Sequence, residues 1–169
     1  MYLGIDTSLG TAVAAVQSDG YVLAEATSAN PLGHAEVIGD LLTSVLRDAG
    51  EAPSHVAVGM GPGPFTGLRV GIAAARAFAL GRDLPVVPVV TPDAVALGIL
   101  LEGALTDADI PRFAVVTDAR RREFAYTVYE GIDDDGLPVR VTEPALAARD
   151  AVDGLLAELG ADGRDAGVV

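Results

Sequence analysis

The sequence contains no cysteine, no lysine and no tryptophan, and it has only two histidines. Without cysteine there can be no disulfide, no thiolate nucleophile and no thiolate metal site. Without lysine the chain cannot form a Schiff base, a Ser-Lys dyad or a lysine-dependent phosphate loop. The two histidines, His34 and His55, lie far apart in the sequence. A histidine-rich metal site is therefore not expected.

Basic residues are scarce as well: 11 arginines against 24 acidic residues give a formal net charge of −13. A chain this acidic repels a phosphate backbone, so nucleic acid is expected to reach it only through a larger complex. No basic segment precedes the first apolar run, so no signal peptide is predicted. The most apolar stretch, residues 70–80, is short and carries Arg76, which argues against a membrane span. These features predict a soluble cytoplasmic protein.

Strands and helices alternate along the first hundred residues. The run 2–8 reads as a buried strand, and Asp19-Gly20 is a hairpin signal inside an antiparallel meander that continues to residue 28. Apolar residues at helical spacing predict a helix over 34–49, ended by Gly50. The later elements are predicted as a strand at 55–60, a helix at 67–80, a strand at 84–90 and a helix from 92 to about 101.

Residues 112–130 resemble the N-terminus of the chain. When Asp118 is superposed on Asp6, an apolar strand ends in aspartate in each copy, turns, and returns as an alternating strand. From the pattern alone, an internal duplication and a chance similarity both stay open. A duplication predicts two related lobes, which we place at 1–101 and 102–169. The second lobe ends in a predicted helix from about 147 to 159.

The glycine-rich stretch GMGPGPFTGLRVG (59–71) raises the possibility of a phosphate loop. No lysine follows its glycines, the third Rossmann glycine position is occupied by Thr66, and Pro62 and Pro64 each remove a backbone N–H. A stiff strand-to-helix connection is the simpler interpretation, with Thr66 as the helix N-cap. The residues assigned to this structural loop are Gly61, Pro62, Gly63 and Thr66.

Two helix surfaces are candidates for a protein interface. The helix 34–49 carries two apolar rows, and one row is enough to pack on a small sheet, so the second predicts an outside partner. The helix 67–80 carries a row of small residues, which either packs on the chain's own sheet or receives a foreign helix. The candidate interface residues are Val37, Ile38, Leu41, Leu42, Val45, Leu46, Gly67, Gly71, Ala75 and Ala79.

Four segments together resemble the TsaB (YeaZ) family. They are GIDTS followed by TAVAAV, then HAEVIGDLLTSVLRDAG, GMGPGPFTGLRVGIAAARAFA and DARRREFAYTVYE, in this order along nearly the whole chain. GPGPFTGLRVG is the most specific of them. Members of this family usually extend further at the C-terminus, so the second lobe is expected to be shortened or truncated.

The resemblance implies an actin-like (ASKHA, ribonuclease H-like) α/β fold with two lobes and mixed sheets. It also implies a non-catalytic partner of the paralogue TsaD, which acts with the small ATPase TsaE in tRNA threonylcarbamoyladenosine (t6A) modification. The same resemblance implies contact with TsaD, or self-association into a homodimer, through the two helices named above. An older label for the wider family is M22 glycoprotease.

The family's chemistry is only partly represented among the residues. The catalytic paralogue holds a metal with two histidines one helical turn apart, but four residues after His34 stands Ile38. We therefore expect no metal site, and a capping or surface role for His34. No cofactor is expected. The residues that would be candidates for nucleotide contact are Asp6, Thr7, Ser8 and Asp118.

Two further points remain open at the level of sequence. The aspartates at the two hairpin turns suit either phosphate and magnesium contacts or the capping of their own turns, and Arg120, Arg121 and Arg122 are either phosphate partners or a solvated turn. The alternative function is an actin-like ATPase or sugar-kinase relative with its own nucleotide site.

Overall fold

A computed structural model of the protein describes residues 1–30, 33–120 and 122–165. These residues form two compact units, one spanning Met1–Val90 and one beginning at Thr91. The division comes immediately before a helix, Thr91–Thr106, whereas the sequence places it inside that helix, after residue 101. Within the described residues, no helix is long and apolar enough to cross a membrane.

The first unit is a five-stranded mixed sheet with two helices. Its strands are β1 (Tyr2–Asp6), β2 (Thr11–Val16), β3 (Val22–Ser28), β4 (His55–Gly59) and β5 (Val86–Val89). The order in the sheet is β3-β2-β1-β4-β5, with β1, β2 and β3 antiparallel and β4 and β5 parallel to β1. The predicted meander is confirmed, since the Asp19-Gly20 turn joins β2 to β3.

The helices of this unit are α1 (His34–Ala49) and α2 (Phe65–Leu80). The inward residues of β1, β2 and β4 alternate with outward ones, as expected of strands with one covered face. Ile38 and Val45 of α1, and Ala75 and Ala79 of α2, complete the core over that face. Gly50 ends α1 in the left-handed conformation, as the sequence predicts.

The second unit begins with α3 (Thr91–Thr106) and contains a second mixed sheet. The strands are β6 (Phe113–Arg120), β7 (Glu123–Ile132), β8 (Pro138–Arg140), β9 (Ala145–Ala148) and β10 (Asp162–Asp165), and the helix α4 (Val152–Glu158) precedes β10. Tyr126 and Val128 face α4 in the core, while Tyr129, on the opposite face of the sheet, contacts Asp93 of α3. The last helix is shorter than predicted because residues 145–148 pair with β7 as a strand.

The internal repeat is visible in the strand register. Asp6 pairs with Ala12 across the first hairpin, and Asp118 pairs with Phe124 across the second, so the offset within each pair is the same. Each hairpin also receives a parallel strand on the same side, β4 beside β1 and β10 beside β6, after a helix in both units. The alignment of Asp118 on Asp6 therefore corresponds to a structural repeat.

Candidate functional site

The β1–β2 turn meets the start of α2 through the hydroxyl group of Thr7. This hydroxyl donates a hydrogen bond to the Gly67 carbonyl oxygen at 2.8 Å and accepts one from the Gly71 N–H at 3.2 Å. In a regular α-helix these two backbone groups, four residues apart, would bond to each other. The Thr7 side chain is 1% exposed. A buried side chain from the strand turn thus bonds to two backbone groups in the first turns of the helix.

The glycines of GMGPGPFTGLRVG allow this close approach. A Cβ atom at Gly71 would lie 2.3 Å from Thr7 Oγ1, and one at Gly67 would lie 2.8 Å from His34 Nε2. A Cβ atom at Gly63 would lie 2.7 Å from the carbonyl oxygen of Ser8. All three distances are shorter than van der Waals contact permits, so the glycine spacing reflects packing of the loop and α2 on the β1–β2 turn.

The start of α2 differs from the sequence prediction. The helix begins at Phe65, Pro64 occupies the N-cap position, and no side chain caps the helix. Thr66 lies inside the first turn and is exposed. The prediction of Thr66 as N-cap is therefore wrong. Gly61 adopts a φ of 83°, which favours glycine, and its bond to Pro62 is cis.

His34 is buried rather than at the surface. It is 7% exposed, and its Nδ1 lies 2.8 Å from the hydroxyl oxygen of Thr11, which is itself 1% exposed. The expectation of a capping or surface role is wrong, because the ring fills the space between β2 and the start of α2. Ile38, one turn further along α1, lies in the apolar core.

The aspartates at the two hairpin turns have different partners. The Asp6 carboxylate accepts hydrogen bonds from the backbone N–H of Ser8, at 2.6 Å, and from the Ser8 hydroxyl. This is the arrangement of an aspartate that caps its own turn. The Asp118 carboxylate instead forms an ion pair of 2.7 Å with Arg149, which lies over the ring of Phe124.

The candidate nucleotide contacts are thus engaged within their own unit, Asp6, Thr7 and Ser8 in the first and Asp118 in the second. Of the three consecutive arginines, Arg121 lies outside the described residues, and Arg122 is exposed with a φ of 67°. Over residues 1–30, 33–120 and 122–165, no group of three His, Asp or Glu side chains is placed to hold a metal ion.

The structure also decides which helix faces are covered. The small-residue row is buried within the first unit, against the β1–β2 turn and the sheet, so no foreign helix can lie on it without displacing the chain's own residues. That row consists of Gly67, Gly71, Ala75 and Ala79. Its assignment to a partner interface is corrected accordingly.

The two apolar rows of α1 flank a single buried face. At about 100° per residue the two rows lie side by side, and Val45 of one row and Ile38 of the other point into the core where the rows meet. The other four members are half-buried: Val37, Leu41, Leu42 and Leu46. Neither row is therefore an uncovered second face, and only the edges of these side chains reach the surface.

A polar cluster that sequence reasoning missed fastens α3 to the second sheet. The Asp93 carboxylate accepts hydrogen bonds from the Tyr129 hydroxyl and from Arg140 Nε, both at 2.8 Å, and Arg140 also pairs with Glu143 at 2.9 Å. We call these four residues the Asp93 cluster. An acidic residue in the first turn of a helix was the sole signal in the sequence, and its partners come from 36 and 47 residues away.

The cluster shifts two pKa values. Burial, followed by the hydrogen bond to Asp93, raises the pKa of the Tyr129 phenol far above its usual value. The hydrogen bond to Asp93 raises the pKa of Arg140, which stays charged at any ordinary pH. The neutral phenol and the charged guanidinium are therefore the forms that the fold stabilises.

We expect the stability of the second unit to fall at alkaline pH because of Tyr129. Its folded pKa is raised above the unfolded value of about 10, so its contribution is complete below pH 10 and is lost as the pH rises above it. The slope is about −1.4 kcal/mol of unfolding free energy per pH unit. Tyr129→Phe should remove this slope in denaturant titrations between pH 9 and about 12.

The chain has no lysine or cysteine to titrate in the same range, and its other three tyrosines are common to wild type and variant. Tyr21→Phe is the matched control, because the Tyr21 side chain is 66% exposed. An alkaline slope that is equal in the Tyr129→Phe variant and the wild type would contradict the assignment.

Comparison with known proteins gives a consistent result. The family model of TsaD, tRNA N6-adenosine threonylcarbamoyltransferase, matches residues 22–157. An uncharacterised protein of Mycobacterium tuberculosis is 36% identical over 89% of this chain and 66% of its own length. The tRNA threonylcarbamoyladenosine biosynthesis protein TsaB of Escherichia coli is 32% identical over 80% of this chain and 57% of its own length.

Among solved structures, YeaZ from Pseudomonas aeruginosa superposes with a TM-score of 0.68 at 26% identity, covering 87% of this chain and 66% of that one. The chain therefore spans between about half and two thirds of the length of these three relatives. The strand order of the first unit, the repeated hairpin and this structural likeness agree on the actin-like architecture. With most of its length matched by the family model, the chain belongs to the TsaD family, in its TsaB (YeaZ) branch, and has the actin-like fold.

Proposed function

We propose that this protein is a non-catalytic cytoplasmic partner of a TsaD-type threonylcarbamoyltransferase in bacterial t6A modification of tRNA. The support comes from the family and from the names of the relatives in Escherichia coli and Haemophilus influenzae, both called TsaB. In this proposal a TsaE-like ATPase completes the assembly, and tRNA is bound by the complex. The net charge of −13 agrees with tRNA contact through a partner.

The placement of His34 and Ile38 carries the non-catalytic part of the proposal. The family resemblance implies that the catalytic paralogue holds its metal with two histidines one helical turn apart. Here the first of those positions, His34, is buried and hydrogen-bonded to Thr11. The second position is Ile38, which is 7% exposed and packs in the apolar core. Neither side chain is placed to bind a catalytic metal.

We further propose that the partner is held on the surface formed by α1 and α2, and that this surface pairs two copies when the partner is absent. The half-buried apolar side chains along the edge of α1 that adjoins α2 contribute apolar area from α1. The outward side of α2 contributes the rest. The buried row from Gly67 to Ala79 supports α2 from below and makes no partner contact.

A reconstituted tRNA modification assay tests the proposed function. We expect the TsaD-type and TsaE-like proteins of the same organism, with tRNA and the required substrates, to form t6A at least ten times faster when this protein is added. The protein alone should form none, because it lacks the metal-binding histidine pair. The modified nucleoside is measured by mass spectrometry of digested tRNA.

Gly154→Ala is a suitable control variant for this assay. Gly154 lies on the exposed side of α4 in the second unit, with no atom near its Cβ position, so this variant should support the same rate as wild type. Equal t6A formation with and without the protein would refute the proposed function. Magnesium-dependent ATP hydrolysis by the isolated protein would favour the alternative of an ATPase instead.

A further inference from the structure

The helix α3 is apolar on two opposite sides. One side packs within the second unit, and its buried residues are Pro92, Ala96, Leu100 and Gly103. At about 100° per residue, a second set falls on the opposite side of the helix, within about 60° of one another. These are the exposed residues Ala94, Gly98, Leu101 and Leu105. We call these four residues the α3 stripe.

The α3 stripe is open in the part of the chain that the structure describes. Leu101 is 50% exposed and Leu105 is 88% exposed. A Cβ atom at Gly98 would have no neighbour within 4 Å. Helices that are apolar all round are normally buried on all sides, and a contiguous row of exposed apolar side chains marks an interaction surface. The second side of α3 is therefore expected to be covered by another surface.

The order of residues along the stripe fits a second copy of the same helix. The small residues Ala94 and Gly98 come first and the two leucines come last, at spacings of four, three and four that suit a seam between two helices. In an antiparallel pair about a twofold axis, Leu105 of each copy lies beside Ala94 of the other, and Leu101 lies beside Gly98. Each large side chain then enters the space left by a small one. A parallel pair would oppose leucine to leucine at one end and leave a gap at the other.

Charge also favours a second copy at this surface. Each copy has a formal net charge of −13, so two copies repel each other wherever acidic faces meet. The helix contains two acidic residues, of which Asp93 is engaged in the Asp93 cluster and Glu102 lies beside the stripe. The stripe itself is uncharged, so pairing there buries apolar area without burying a charge. A basic partner would find no carboxylate within it.

We propose that a second copy of this chain covers the α3 stripe, in an antiparallel pair of α3 helices related by a twofold axis. This pairing uses residues other than those of α1 and α2, and it does not depend on the proposed function. The stripe extends over only about 17 Å of helix. We therefore expect a weak, concentration-dependent dimer at the low end of interface sizes.

Cysteine cross-linking tests both the contact and its direction, since the chain has no cysteine of its own. In the antiparallel pair, the two copies of residue 98 lie about 4.5 Å apart along the helix axis, whereas the two copies of residue 105 lie about 17 Å apart. Gly98→Cys should therefore form a disulfide-linked dimer on mild oxidation, and Leu105→Cys should not. A mixture of Ala94→Cys and Leu105→Cys proteins should form the mixed dimer.

Leu146→Cys measures the background of random collision, because Leu146 is an exposed leucine of the same unit outside α3. Gly98→Cys that cross-links no faster than this control would overturn the proposal. Cross-linking of Leu105→Cys as fast as Gly98→Cys would overturn the antiparallel arrangement.

Sedimentation equilibrium measures the strength of the pairing. Leu101→Glu places a charge in the seam and should raise the dimer Kd at least about tenfold. Leu146→Glu makes the same change outside α3 and should alter the Kd less than about twofold. Between about 0.1 M and about 1 M salt the screening length falls from about 10 Å to about 3 Å, so the wild-type dimer should tighten as repulsion between the acidic copies weakens.

Every other occupant of the stripe gives a different result. A wild type that stays monomeric, or a Leu101→Glu variant of equal Kd, would show that a second copy does not cover α3. If Leu101→Glu keeps its self-association but loses affinity for the TsaD-type protein, the stripe serves that partner and the proposal is wrong. Circular dichroism establishes that each variant is folded. The t6A assay with wild-type protein decides the proposed function separately.

Discussion

Gly71→Leu is expected to destabilise the first unit by about 3 kcal/mol or more. A Cβ at this position would lie 2.3 Å from Thr7 Oγ1 and 3.0 Å from Thr7 Cγ2, and both atoms belong to a buried, β-branched side chain that cannot rotate away. The leucine would also break the hydrogen bond from the Gly71 N–H to Thr7. For a chain of 169 residues the loss corresponds to a fall of about 6–12 °C in the melting temperature, measured by calorimetry.

Gly39→Leu provides the matched control, since Gly39 lies in the other helix of the same unit with nothing within 4 Å of its Cβ position. Leucine is a better helix former than glycine, so this variant should gain about 0.5–1 kcal/mol. Opposite signs for the two substitutions would show that contact with Thr7, and not helix propensity, dictates glycine at 71. A Gly71→Leu protein that melts with wild type would contradict the close packing of the β1–β2 turn on α2.

Asp93→Leu is expected to cost the second unit about 3 kcal/mol, the lower end of the range for breaking a buried ion pair. The substitution leaves the buried Tyr129 hydroxyl without its acceptor and Arg140 without its main partner. We choose the lower end because the side chains of Asp93 and Arg140 are each 27% exposed. Hydrogen exchange should show the loss of protection in α3, β7 and β8.

Two further variants sharpen this test. Glu102→Leu makes the same chemical change at an exposed position of α3 and should be nearly neutral. Asp93→Asn keeps one acceptor but removes the charge, so its effect should lie between wild type and Asp93→Leu. If Asp93→Leu and Glu102→Leu were equally stable, the Asp93 cluster would make no measurable contribution to the free energy of unfolding.

The parts of the fold that depend on local pattern could be predicted from the sequence. The Asp19-Gly20 turn, the helical spacing of α1 and its Gly50 terminus each involve neighbouring residues, and the structure confirms all three. The repeat could also be read locally, because aligning two aspartates was enough to place Phe124 opposite Asp118 as Ala12 lies opposite Asp6.

The candidate site depends on contacts that no local pattern reveals. Thr7 bonds to residues 60 and 64 positions away, and His34 bonds to Thr11 across 23 positions. From the sequence alone, His34 was therefore predicted to lie at the surface, and the small-residue row of α2 was predicted to contact a partner. The apolar residues of α1 were misread for a geometric reason: two rows about 100° apart belong to one broad face when the helix lies on a sheet.

The hydrogen bond to the Thr7 hydroxyl also makes the Gly71 amide proton a reporter of how the β1–β2 turn packs on α2. The Gly71 N–H donates a hydrogen bond to the Thr7 hydroxyl of the strand turn, so we expect its exchange with solvent to require the turn to leave α2. The rate of deuterium uptake at Gly71 therefore reports how often the hairpin separates from the helix, both in the free protein and after a partner has bound to α2.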